Sequence, residues 1–230
     1  MRKPRIYLDR VLVCGNSVVL EAAARNHLAN VLRLKPGADL VVFNGEGGEF
    51  KATILSASRK HAEILISEFS EVSRESSVYT SIAFSASRND RMDWIVQKAT
   101  ELGANILQPL TTERVSIRRD RDQISRRMDH WRKVSIGACE QSGRNSIPLL
   151  YEPQNLGSWL DSDNSDIKLL LDQQGEKFAL AELPTPRRVS ILSGPEGGFS
   201  ETEVAQAKAA GCITISLGRR TMRAETAPLA

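Results

Sequence analysis

Two short stretches near the carboxyl end carry residue types suited to gripping a small ligand. Ser193-Gly194-Pro195-Glu196-Gly197-Gly198-Phe199 follows directly on the apolar run Arg188–Leu192, and Gly218-Arg219-Arg220-Thr221-Met222-Arg223-Ala224-Glu225-Thr226 follows Cys212–Leu217. A glycine pair lets the backbone take positive φ and approach a ligand without side-chain interference. Open parallel sheets bind ligands beyond the carboxyl ends of their strands, so two such loops leaving consecutive strands predict one pocket. Neither loop is a Gly-x-x-x-x-Gly-Lys-Ser/Thr phosphate cradle, and neither is a Gly-x-Gly-x-x-Gly dinucleotide turn. Glu196 inside the first loop would repel a triphosphate or pyrophosphate, so a cationic or zwitterionic small molecule fits better. Taken alone, the glycine pair is also an ordinary strand-to-helix turn.

A second constellation is basic. Between Glu113 and Lys133 stand Arg114, Arg118, Arg119, Arg121, Arg126, Arg127, Arg132 and Lys133 against Glu113, Asp120, Asp122 and Asp129. That is 8 − 4 = +4, more than the +3 of the whole chain. Guanidiniums dominate, and their planar fork matches phosphate better than an ammonium does. The cluster is therefore a candidate docking surface for a nucleic-acid backbone; the alternative is a solvated helix face.

The elements that must position these residues divide in two. The first part is β-rich: Asp39–Phe43, Glu49–Leu55 and His61–Ile66 are short strands separated by Asn44-Gly45, Gly47-Gly48 and Ser58–Lys60, the pattern of a small barrel. The polar stretch Ser70–Ser77 marks the boundary, giving domains 1–72 and 73–230. Beyond it strands alternate with helices. Val78–Phe84 and Asn105–Leu110 read as strands, and Arg91–Leu102 and Gln123–Ser142 as helices closed by Gly103 and Gly143. Ile167–Leu171 and Arg188–Leu192 are continuous apolar runs of the kind buried on both faces of a parallel sheet. Ser200-Glu201-Thr202-Glu203 is a capping box opening a helix that ends at Gly211. The fold class is α/β with a largely parallel sheet.

Composition removes several classes of function. Hydrophobic residues at 41% and charged residues at 26% are ordinary globular usage. Aromatics at 5% are too few for a surface that stacks successive bases. No apolar run reaches the ~20 residues of a membrane helix, and the basic start MRKPRIYLDR lacks a signal peptide's apolar core. Cys14, Cys139 and Cys212 are odd in number and without paired spacing, which suits a reducing cytoplasm. They offer neither a disulfide framework nor a zinc site. His27, His61 and His130 have no ligand spacing, so no metal is assigned. Trp131 and Cys139 fall on the apolar stripe of their helix and read as core; Trp94 and Trp159 carry no assignment.

Taken together, Leu192–Ser200 (LSGPEGGFS), Leu217–Ala227 (LGRRTMRAETA), Gln97–Ala104 (QKATELGA), Thr112–Val115 (TERV) and Ala138–Asn145 (ACEQSGRN) resemble the ribosomal RNA small-subunit methyltransferase E family. The opening His27–Ala52 is similar to that family's as well, so the resemblance spans nearly the whole chain. It implies an N-terminal PUA-like β-barrel followed by a SPOUT domain whose carboxyl part forms a trefoil knot. It also implies a homodimer in the cytoplasm that uses S-adenosylmethionine to methylate N3 of one uridine in 16S rRNA of the small ribosomal subunit. By the same resemblance Gly194, Glu196, Gly197, Gly198, Leu217, Gly218, Met222 and Arg223 would contact the cofactor. Arg114, Arg118, Arg119, Arg126, Arg127 and Arg144 are the candidates to hold RNA. Family members usually continue past the position of Ala230, so the sequence is expected to be cut short there.

Transfer to N3 requires in-line approach to a sulfonium methyl, loss of a weakly acidic proton, and support for negative charge on the flanking carbonyls. Arg114, Arg144 and Arg223 are suitable donors toward that charge. Glu140 and Glu225 are the candidate proton acceptors, with Arg223, Glu225, Arg114 and Glu140 forming the catalytic set. Glu225 could equally be a helix N-terminal carboxylate. Methylation at pyrimidine C5 would need a cysteine nucleophile; a core Cys139 is consistent with attack by nitrogen. Two alternatives stand beside this one: a SPOUT enzyme acting on another RNA position, and a non-catalytic RNA-binding ribosome-assembly factor.

Overall fold

The computed structural model describes residues 3–28, 34–58, 60–85, 89–115, 120–177 and 187–230. The chain divides into two compact units, one of Met1–Glu75 with Cys139–Ile147, the other of Ser76–Ala138 with Pro148–Ala230. The return of Cys139–Ile147 to the first unit has no counterpart in the sequence reading, which broke the chain once.

The first unit contains β1 (Arg5–Tyr7), β2 (Ser17–Val19), the short α1 (Ala22–Asn26), β3 (Asp39–Phe43), β4 (Glu49–Ala57) and β5 (Ala62–Ser70). Its sheet runs β1-β3-β4-β5-β2, with β1 parallel to β3 and the remaining pairs antiparallel. Alternation decides which face is buried. Ala62, Ile64 and Ile66 of β5 point inward beside Ala52 and Ile54 of β4 and Leu40 and Val42 of β3, while Glu63 and Leu65 point away. The predicted strands are present: β3 has the expected bounds, and β4 and β5 run on beyond theirs to Ala57 and Ser70. β1 and β2, three residues each, are too short to show a period in sequence.

Arginine–carboxylate contacts hold Cys139–Ile147 within this unit. The Arg5 guanidinium donates to Glu49 Oε2 at 2.5 Å, to the Arg144 carbonyl at 3.2 Å and to Asn145 Oδ1. Arg144 is itself buried and donates through Nε and a terminal nitrogen to both oxygens of Glu75, at 3.0 and 2.5 Å. Arg74 donates to Glu49 and to the Gly143 carbonyl, both at 3.0 Å. Burial pushes the Glu49 carboxyl up, but Arg74 and Arg5 outweigh it and hold the group below its ordinary value of 4.5.

The second unit contains β6 (Tyr79–Phe84), α2 (Asn89–Glu101), β7 (Ile106–Thr111), most of α3 (Arg121–Ser142), β8 (Leu149–Leu150), β9 (Gln154–Asn155), α4 (Leu156–Ser162), β10 (Ile167–Lys177), β11 (Arg188–Ser193), α5 (Glu201–Ala209), β12 (Ile213–Ser216) and a closing 3-10 turn, Ala227–Leu229. The sheet order is β12-β10-β11-β6-β7-β8, with β9 also on β7, and these strands all pair in parallel. Both faces are covered, as continuous apolar strands require. Ile82, Phe84 and Leu107 pack with Met92, Ile95, Val96 and Ala99 of α2 and Trp131 of α3. Ala83, Leu110, Leu170 and Leu192 pack on the other side with Leu156, Trp159 and Leu160 of α4 and Ala207 of α5. Trp131 and Cys139 are core as expected, and burial pushes the Cys139 thiol up to about 12. Trp159 is buried too, whereas Trp94 is half exposed beneath the Lys98 ammonium. Among the described residues no helix is long and apolar enough to cross a membrane.

Candidate functional site

Chain direction creates a crevice at β10. From β10 the chain proceeds to its neighbour β11, and from β11 through α5 to β12, which lies on the opposite side of β10. Open parallel sheets bind ligands outside the carboxyl ends of their strands, and β10 stands there between the two strands that carry the loops. A cleft of about 690 Å³ lies there, within the few-hundred-to-thousand Å³ range of small-molecule sites. The loop after β11, one face of α5 from Glu201 to Lys208, the end of β12 and the segment that follows it form its walls, together with Leu171–Gln174 of β10.

Gly194, Glu196, Gly197, Gly198, Leu217, Gly218 and Met222, expected from sequence at a ligand, all line this cleft. Arg223, expected with them, is exposed and is not among the lining residues. Of the glycine pair only Gly198 takes positive φ, at 69°. Gly197 instead supplies closeness: a Cβ there would stand 3.2 Å from Arg114 Cδ, and its carbonyl accepts from the Arg114 guanidinium.

Asp172, Gln173 and Gln174 were missed in the sequence. They form a bulge in β10, whose register on β12 shifts between Leu171 and Glu176. The Gln174 amide donates to Asp172 Oδ1 at 2.9 Å. Gly175 closes the bulge, and a Cβ there would lie 2.5 Å from the Ile215 carbonyl carbon, so only glycine lets the strand rejoin. The available signal was the abrupt change from IKLLL to DQQG at a strand end.

Contacts from behind fix the first loop. Ser200 caps α5, and the reciprocal capping box is complete, with the Glu203 carboxylate accepting from the Ser200 amide at 2.9 Å. Its other oxygen accepts from the Glu113 amide at 2.8 Å, so the buried Glu203 ties the helix start to the 112–115 segment. Arg91, in the first turn of α2, donates to Glu196 Oε1 and lies 3.6 Å through Nε from Glu225 Oε2. No sequence signal marked Arg91, because its partners lie more than a hundred residues away.

The remaining site candidates scatter. Glu140 belongs to the first unit, where it accepts from the Tyr7 amide at 3.0 Å; burial pushes its carboxyl up. Arg144, expected to face RNA or support charge, is instead 4% exposed and forked onto Glu75. Burial turned that motif arginine inward. Glu225 faces Arg91 and does not line the cleft. Arg126 is exposed; Arg127 stacks over Trp131 at 5.6 Å and lies 3.8 Å from Asp93. Arg118 and Arg119 lie outside the described residues. Among the described residues, no group of three or more His, Cys, Asp and Glu side chains could hold a metal.

Residues 74–230 match the model of an RNA methyltransferase domain, and residues 20–67 that of an RNA methyltransferase PUA domain. The chain is 30% identical over 213 residues to ribosomal RNA small subunit methyltransferase E of Bacillus subtilis, covering 89% of this chain and 83% of that one. Among solved structures it is similar to a methyltransferase of Legionella pneumophila crystallised with S-adenosylmethionine, at 35% identity and a TM-score of 0.94 over 100% of this chain and 95% of that one. It is likewise similar to the ribosomal RNA small subunit methyltransferase E of Neisseria gonorrhoeae bound to S-adenosylmethionine, at 33% identity and a TM-score of 0.91 over 99% and 94%.

Proposed function

Because this chain belongs to the ribosomal RNA small-subunit methyltransferase E family, we propose that it transfers a methyl group from S-adenosylmethionine to N3 of a uridine in 16S rRNA of the small subunit. The observation that carries this reading is the cleft at the carboxyl ends of β10, β11 and β12. Its residues fit the cofactor chemically. Asp172, Glu196 and Glu201 offer carboxylates to a ligand that carries a sulfonium and an ammonium beside one carboxylate, and Leu171, Phe199, Leu217 and Met222 offer apolar surface to a ring. When bound, the cofactor supplies an electrophilic methyl on sulfur. Gly194, Gly197 and Gly198, with Leu217, Gly218 and Met222, would hold it, and the bulge of β10 would close the remaining side.

The chain's own contribution is placement and charge. Preorganised loops remove the entropy of bringing two reactants together. Arg223, exposed on the segment after β12, is assigned to steady negative charge on the uracil carbonyls as N3 loses its proton. Neither Glu140 nor Glu225 lines the cleft, so we route that proton to water at its mouth. Arg114, held to the Gly197 carbonyl, shapes the loop, and Arg126 and Arg127 with the rest of the basic cluster would meet RNA phosphates. The chain's passage from β11 past β10 to β12 supports the reading of a SPOUT knot, and the sheet of the first unit that of a PUA-like barrel. A homodimer in the cytoplasm belongs to the same reading.

Calorimetry with S-adenosylhomocysteine should give one site per chain. Labelled methyl should then pass to 30S particles from a strain lacking the enzyme, and primer extension should stop at a single uridine. Binding without transfer, or label at a base carbon or ribose, would sink the uridine-N3 assignment.

A further inference from the structure

The two cleft loops converge on one arginine that is not on the cleft wall. We propose that Arg91 is a positioning residue: it holds Glu196 of the first loop and Glu225 of the second, and so sets the gap between them. This rests on reading the cleft as the S-adenosylmethionine site.

Arg91 has a rigid base and two partners on separate loops. α2 is pinned by Met92, Ile95, Val96 and Ala99, all buried against the sheet. From that anchor a terminal nitrogen donates to Glu196 Oε1 while Nε stands 3.6 Å from Glu225 Oε2. A planar guanidinium with donors on several edges can serve two carboxylates at once; a lysine ammonium on a flexible stem cannot hold the same fork. The side chains of Arg91, Glu196 and Glu225 are 18%, 31% and 16% exposed, so water screens the cluster only in part.

The two glutamates do different work. Glu196 lines the cleft. Glu225 does not, and its Oε2 is buried without a hydrogen bond, so the charge of Arg91 is what offsets its burial. Glu225 is therefore an anchor rather than a proton acceptor. Take Arg91 away, and two carboxylates from different loops are left near each other with their shared cation gone; repulsion moves the loops apart.

The test compares the wild type with Arg91→Met, Arg91→Lys, Glu225→Gln and the Arg91→Met/Glu225→Gln double variant. S-adenosylhomocysteine affinity, KM for the cofactor, kcat on 30S particles and unliganded melting temperature are read for each. Arg91→Met should weaken affinity and raise cofactor KM by about tenfold or more, as removal of one partner of a part-buried charge pair does. Arg91→Lys should not restore affinity. Glu225→Gln should weaken affinity by about threefold, with kcat at saturating cofactor nearly unchanged. The double variant should bind no more weakly than Arg91→Met alone, because the contact is already gone. If Arg91→Met fails to fold, Glu225→Gln decides by itself. Variants with wild-type affinity overturn the proposal, and so does a collapse of kcat in Glu225→Gln with affinity intact, which would make Glu225 the base. A wild type that does not bind S-adenosylhomocysteine overturns the cleft's assignment and this proposal together; wild-type binding untouched by the substitutions overturns this proposal alone.

Discussion

Arginine and glutamate gather at two places in the molecule, with opposite outcomes. In the first unit Arg5, Arg74 and Arg144 meet Glu49 and Glu75; Arg5 and Arg144 are buried, and Arg74 closes the cluster at the surface. At the cleft Arg91 and Arg114 reach Glu196, Glu225 and the Gly197 carbonyl, all on loops that end at open space. The residue types are the same. What differs is whether solvent remains: Arg144 is 4% exposed and Arg114 is exposed. A buried guanidinium fastens chain to chain and is lost to any outside partner; a surface one can shape a loop and still be reached.

That contrast is most sharply tested by removing one arginine from each place. Arg144→Ala leaves Glu75 without its fork inside the first unit and should cost about 3 kcal/mol of stability, read by denaturant unfolding. Ligand affinity of the folded fraction should stay within about twofold if the two places are independent. Gly175→Ala should come next, at about 2 kcal/mol, because its methyl would collide with Ile215 backbone. It should also weaken S-adenosylhomocysteine binding, since the bulge carries Asp172 to the cleft; unaltered affinity would remove β10 from the site. Arg114→Ala should reverse the pattern of Arg144→Ala, with stability changed by less than about 0.5 kcal/mol and affinity lowered by about threefold.

The smallest expected effect is in acid. Arg74 and Arg5 hold the Glu49 carboxyl below 4.5 against the upward push of burial. Its stabilisation is therefore complete above the unfolded value and is lost as pH falls through the lower folded value. Arg74→Ala should shrink that acid-side loss, measured as melting temperature against pH from about 6 to 3. An identical slope would mean that the pair contributes nothing there.

Strand periods, glycine turns and the capping box were legible in the sequence because each is written within a few neighbouring residues. Ser200 and Glu203 announce the start of α5 from three positions apart, and the structure adds only the Glu113 contact. The cleft's two loops were legible for the same reason. Its third wall was not, since the tail of β10 matters only because the chain places β10 between β11 and β12. Arg144 and Arg114 both stand in short polar motifs, and nothing local says which one turns inward. Arg91 looked like the first residue of an amphipathic helix until two distant loops arrived beside it.

Every described wall of the cleft comes from the stretch between Leu171 and Ala227. A chain emerging from its amino end has its first-unit strands, α2, β7 and α3 made before any of those residues exist. Competence to hold a ligand thus arrives all at once, with the last strand and the turn behind it. Until that strand is synthesised, Arg91 waits on a finished helix for partners not yet made.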